Sequence, residues 1–127
     1  MNTITQAAIN KKSFELNFNG GTIWCEHLDG MGGYEDKVLE KFNEDKRIFS
    51  RPSVSAFMII NLYKTDITEN IINTITDTIM ENDKIFRKIA FVGVKPLKAK
   101  RQLDRIKAKG IAVGFIDDYE KAKQWLF

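Results

Sequence analysis

Three apolar runs constrain this chain more than any other feature. They are VSAFMIINL from residue 54, KIFRKIAFVGV from residue 84 and IAVGFI from residue 111. Each is short and nearly continuous rather than alternating in polarity, the pattern of a strand buried on both faces. The stretches between them repeat with helical spacing. In TDITENIINTITDTIMEND, Ile72, Ile75 and Ile79 share one face, and in the next stretch Ala99, Leu103 and Ile106 form an apolar stripe. Buried strands that alternate with amphipathic helices argue for a parallel sheet with right-handed crossovers.

Upstream of these runs the pattern changes. SFELNF alternates, with Phe14, Leu16 and Phe18 facing one way and Glu15 and Asn17 the other. Asn19-Gly20-Gly21 is a hairpin signal, so TIWCEHL reads as its antiparallel partner. DGMGG at 29–33 is a loop, and the spacing of Tyr34, Val38 and Phe42 predicts a helix that Pro52 stops. Pro96 suits the first turn of the helix after the second buried strand, and Gly110 ends it. A terminal helix over DDYEKAKQWLF begins with Asp117 as cap and Glu120 three residues on. The predicted fold is a single α/β domain with a five-stranded mixed sheet. It has an N-terminal antiparallel hairpin plus three parallel strands and about four helices.

The 127 residues suit one domain over 13–127, preceded by a polar, flexible segment over 1–12. The single cysteine, Cys25, fits a reducing compartment. No signal peptide is legible at the start, and no apolar run reaches the ~18 residues that a membrane span needs. These features predict a cytoplasmic protein without a transmembrane segment.

From about Ala56 the residues carry a family pattern. A strand ends at Val92-Gly93 before a helix, and a short strand runs through Phe115 into Asp117 and Asp118. The helix that follows holds Ala122, Trp125 and Leu126. This resembles STAS domains of the SpoIIAA-like branch, which also look like the lipid-binding CRAL-TRIO fold. The resemblance covers roughly the last seventy residues, while the opening hairpin and first helix agree in order only. It implies a five-stranded mixed sheet and a binding or regulatory role rather than catalysis. STAS regulators of sigma factors carry an Asp-Ser-Ser/Thr-Gly type motif whose Ser is phosphorylated to break partner binding. The corresponding stretch here, LYKTDITEN, has neither Ser nor Gly. Thr65 and Thr68 are therefore the candidate phosphorylation positions, and helix capping by Thr68 or Asp66 accounts for the same residues.

Charge supplies the remaining candidates. Between Lys95 and Lys109 seven basic residues face one acidic residue, Asp104, in a chain whose net charge is only +3. At ~100° per residue, Lys98, Arg101, Arg105 and Lys109 fall on one side of the apolar stripe. The preceding helix is the reverse, with Glu69, Asp77, Glu81 and Asp83 and no Lys or Arg. A basic side and an acidic side are the expected result. Such a face is often merely solvated; the sharper reading is that it docks an acidic protein partner or an anionic lipid. No helix-turn-helix, zinc finger or RNA-binding aromatic strand supports nucleic acid.

Other motifs read as structure. The turn after Val92 has one glycine, and Pro96 removes an N–H that a phosphate would want, so Gly93 reads as a strand-end turn with at most weak anion contact through Lys95 and Lys98. Cys25 and His27 share a strand face, and metal binding there would need ligands that only carboxylates could supply. Asp117 and Asp118 read as helix-start residues. Most aromatics read as core, with Phe49, Tyr63 and Phe86 near element ends where they could line a groove. No catalytic residue, metal or cofactor is predicted. The predicted function is a non-catalytic regulatory or protein-interaction module that binds a partner through charged helix faces. The alternative is a module for a small apolar ligand or lipid, held between sheet and helices.

Overall fold

The computed structural model describes residues 11–51 and 54–127. Most of the segment predicted to be flexible, and the stop at Pro52, lie outside those residues. The sheet has five strands in the order β1-β2-β3-β4-β5. They are β1 (Phe14–Phe18), β2 (Gly21–His27), β3 (Phe57–Asn61), β4 (Lys88–Val92) and β5 (Ala112–Phe115). The β1–β2 pair is antiparallel, closed by the turn at Asn19-Gly20, and every other neighbouring pair is parallel. The first hairpin thus contributes β2 as a fourth parallel strand, in register with β3 from Trp24–Met58 to His27–Asn61.

Four α-helices connect and close the sheet: α1 (Glu35–Phe49), α2 (Glu69–Glu81), α3 (Leu97–Asp104) and α4 (Tyr119–Leu126). Stepping across a sheet in one direction with crossovers of one hand places the connecting helices on one face. Here α1, α2 and α3 do share a face. Phe42, Phe49, Ile75, Ile79 and Leu103 bury against Met58, Ile60, Ile89 and Phe91. The pleat turns the intervening residues the other way. There Ile23, Cys25, Ile59 and Ala90 meet α4, through Ala122 and Leu126.

Several local expectations are corrected. The basic helix is not continuous to Lys109: α3 ends at Asp104, and Arg105–Lys109 tighten into a 3-10 turn before Gly110. Asp118, not Asp117, caps α4, accepting from the backbone N–H groups of Glu120 and Lys121 at 2.8 and 3.2 Å. Of the two capping candidates for α2, Thr68 and Asp66, it is Thr68 that caps, as one of the two expectations had it, accepting from Ile71 N–H at 3.2 Å. Phe49 and Phe86 are core rather than groove, because the end of α1 swings Phe49 between Trp24, Phe42 and Phe86 with ring centroids 5.5–6.2 Å apart. Phe14, read as core, is 41% exposed on the edge strand.

Candidate functional site

All four parallel strands end at the same edge of the sheet, and α2 and α3 begin there. The connection after β3 is laced to the loop after β2. Leu62 N–H donates to Val92 O at 2.8 Å, Gly30 N–H to Tyr63 O at 2.7 Å and Gly32 N–H to Lys64 O at 3.0 Å. Thr65 Oγ1 closes the lacing, donating to Leu28 O at 2.6 Å and accepting from Met31 N–H at 3.1 Å. Within this lacing Lys64 is held at φ +58°, a left-handed conformation uncommon outside glycine. A backbone so tied presents its side chains from a fixed platform.

Between this platform and the start of α3 lies an open cleft of about 640 Å³, bordered by Tyr63, Lys64, Ile67, Gly93, Lys95 and Pro96. It continues, across Ile67 and Pro96, into a smaller cleft between α2 and α3 that reaches Lys98 and Gln102. Tyr63, in its wall, is 50% exposed, and Leu97, between Pro96 and Lys98 in the chain, is 61% exposed. Gln102 lies in the smaller cleft with its amide nitrogen donating to Glu69 at 3.0 and 3.2 Å. Its carbonyl oxygen Oε1 is buried and has no donor. An orphaned acceptor of that kind costs about 1–3 kcal/mol until a donor arrives.

The predicted basic residues border this groove unequally. Lys98 lines it and Arg101 lies one turn further along α3, both exposed and without a hydrogen bond or ion pair among the described residues. Lys109 is likewise unpaired, while Arg105 Nε donates to Gln102 O at 3.0 Å. Because the 3-10 turn winds more tightly than an α-helix, Arg105 and Lys109 leave the line set by Lys98 and Arg101. The acidic helix is not on a far side, as charge segregation suggested: α2 lies beside α3 on the same sheet face. Even so, no ion pair links the two helices among the described residues; the neutral Gln102 joins them.

The two predicted threonines differ in setting. Thr65 is 8% exposed with its hydroxyl used twice in the lacing. Thr68 is half-buried, and its hydroxyl both caps α2 and donates to Glu35. Cys25 and His27 share a face as alternation requires, yet they do not face each other as a working pair. Burial pushes the Cys25 thiol up, against smaller opposing effects of Tyr119 and Lys123. The His27 ring stacks between Phe14 and Tyr119, and its Nδ1 lies 3.0 Å from Asp29 Oδ1. No group of three or more His, Cys, Asp or Glu is placed to hold a metal among the described residues. No helix among them is long and apolar enough to cross a membrane.

Sequence reasoning found the basic residues and Tyr63, which it placed near an element end where it could line a groove, and missed Leu97. Leu97 carried a signal, since it is a large apolar residue outside the stripe of Ala99, Leu103 and Ile106. Lys64 carried none, because what places it is pairing with loop residues 30–33, distant along the chain. Compared with models of known families, with curated proteins and with solved structures, the chain matches none.

Proposed function

We propose that this α/β domain is a non-catalytic, cytoplasmic interaction or regulatory module of STAS, SpoIIAA-like type. Its groove at the carboxyl ends of β3 and β4 receives an acidic segment of a protein partner. One observation carries the reading. Among the described residues Lys98 and Arg101 stay unpaired although an acidic helix lies next to them, with the exposed Tyr63 in the wall of the adjoining cleft and the exposed Leu97 next to Lys98 in the chain. Apolar anchors within a charged rim are the anatomy of protein interfaces. The orphaned Gln102 Oε1 would accept a backbone N–H of the incoming chain. Thr68, at the rim of α2, is where phosphorylation would act in this reading, since it would break the cap and set a dianion against Glu35.

The test is capture of partners by the tagged full-length chain from its own cells, in steps of rising salt, beside Lys98→Glu with Arg101→Glu, and beside Arg87→Glu at the opposite end of β4. The expected result is a partner retained by wild type and by Arg87→Glu, released by salt and lost from the double variant. Equal retention by all three would sink the proposal. The lipid or apolar-ligand alternative has weaker support, because the rings of Trp24, Phe42, Phe49 and Phe86 fill the space between sheet and helices. Native mass spectrometry of the purified chain tests it directly.

A further inference from the structure

The junction of β1, β2 and α1 holds a polar cluster remote from the groove. Glu26, in β2, is 0% exposed and shares the sheet face of Trp24, beneath α1. Its Oε1 accepts from Trp24 Nε1–H at 2.8 Å. Its Oε2 is buried and has no donor. The group beside that carboxyl is a second acceptor, the Asp45 carboxylate of α1. Asp45 is itself held in place: Ser13 Oγ donates to its Oδ2 at 2.7 Å, and Lys41 Nζ lies 3.3 Å from the same oxygen. Lys41 also donates to Ser13 Oγ at 2.9 Å, and that oxygen takes the backbone N–H of His27 at 2.9 Å.

The charges in this cluster do not balance if both acids are ionised. From α1 come Lys41 and Asp45, with side chains 12% and 18% exposed. Just before β1 comes Ser13 and, within β1 opposite Trp24, the exposed Glu15. From β3 the residue opposite Glu26 is the apolar Ile60. Lys11, Lys12 and Glu44 border the open outer side of Lys41 and Asp45, but Lys41 is the cation in contact with Asp45 among the described residues, and at the fully buried Glu26 a neighbouring like charge disfavours ionisation. A single proton on Glu26 resolves both faults. It removes one negative charge, and it turns the orphaned Oε2 into a donor toward Asp45. Burial first, then Asp45, push the Glu26 carboxyl well above its ordinary value of 4.5, against smaller pulls from Trp24 and Lys41.

We infer that Glu26 holds a proton directed at Asp45, and that this makes the β1–β2–α1 junction a clasp that closes on protonation and loosens when the proton leaves. The sign follows from linkage. An acid whose pKa is raised on folding binds its proton more tightly in the folded state. Its stabilisation is complete below the unfolded value and is lost as pH rises from there through the folded value. The loss is about tenfold in the unfolding constant per pH unit while only the folded state holds the proton.

The experiment follows the Glu26 side-chain carboxyl carbon and the Trp24 indole N–H of the whole chain by NMR from about pH 4 to about pH 9. The expected result is a Glu26 signal that passes its ordinary range unchanged and then moves together with the Trp24 indole. Titration of Glu26 at its ordinary value would overturn the inference. Unfolding of wild type and Glu26→Gln, compared across the same range, gives a second reading. The ratio of their unfolding constants should shift about tenfold per pH unit against wild type as pH rises; a ratio independent of pH would overturn it. Should Glu26→Gln not fold, the wild-type titration decides alone.

Discussion

Gly93 lies so close to Tyr63 that a Cβ at position 93 would stand 2.5 Å from the Tyr63 Cα and 2.6 Å from its nitrogen. The end of β4 and the exit of β3 are thereby pressed together beneath the groove, with Gly93 at φ +83°. Gly93→Ala must displace backbone as well as adopt a left-handed conformation, and we expect it to cost about 3 kcal/mol or more. Gly110 has the same φ of +83° with nothing within 4 Å of the added atom, so Gly110→Ala should cost only about 1 kcal/mol. Chemical denaturation of the two variants measures the difference; equal losses would mean that the close approach is not what Gly93 serves.

Leu97 and Tyr63 should dominate partner affinity, since exposed apolar side chains gain most from desolvation at an interface. Leu97→Asp and Tyr63→Ala are each expected to weaken association about tenfold or more. Neither side chain is part of the buried core, so thermal midpoints should stay within about 2 °C of wild type. Calorimetry on the captured partner checks the first number and scanning fluorimetry the second.

Asp29 should make the fold acid-sensitive in the opposite sense to Glu26. Burial alone would raise its carboxyl, but hydrogen bonds from His27 and Lys11, at 3.0 and 2.9 Å, hold it down at about 2. A lowered folded pKa contributes stability above the unfolded value of 3.8, and that contribution is lost as pH falls from there through about 2. The stability gap between wild type and Asp29→Asn should therefore be flat above that window and shrink within it. Acid titrations of both proteins at fixed denaturant read this out, and parallel curves would refute it.

The cap of α4 carries more than its length suggests, because this helix of eight residues supplies Ala122 and Leu126 to the core of the second sheet face. Asp118→Ala removes the acceptor for two backbone N–H groups and should cost about 1 kcal/mol. Asp117 is exposed, and its ion pair with Lys95 spans 3.7 Å. Asp117→Ala should therefore change stability by no more than a few tenths of a kcal/mol. Hydrogen exchange in α4 should rise in the first variant and not in the second.

Local pattern determined much of this molecule. The apolar runs at 54–62, 84–94 and 111–116 contain β3, β4 and β5, because a strand covered on both faces has no place for alternating polarity. Asn19-Gly20 closes the hairpin, Gly110 ends the basic stretch, and the charge of α3 is legible residue by residue. These features depend on neighbours within a few positions, so a linear reading reaches them. Tertiary structure alone decided the rest. It set the strand order, the parallel pairing of β2 with β3, and the gathering of α1, α2 and α3 on one face, which brought acidic and basic helices side by side. It also placed Lys64 against the loop after β2, Gly93 against Tyr63 and Asp45 against Glu26. Each of those contacts joins residues about 19 or more positions apart, and such encounters arise from packing of the whole chain rather than from any periodicity within a segment.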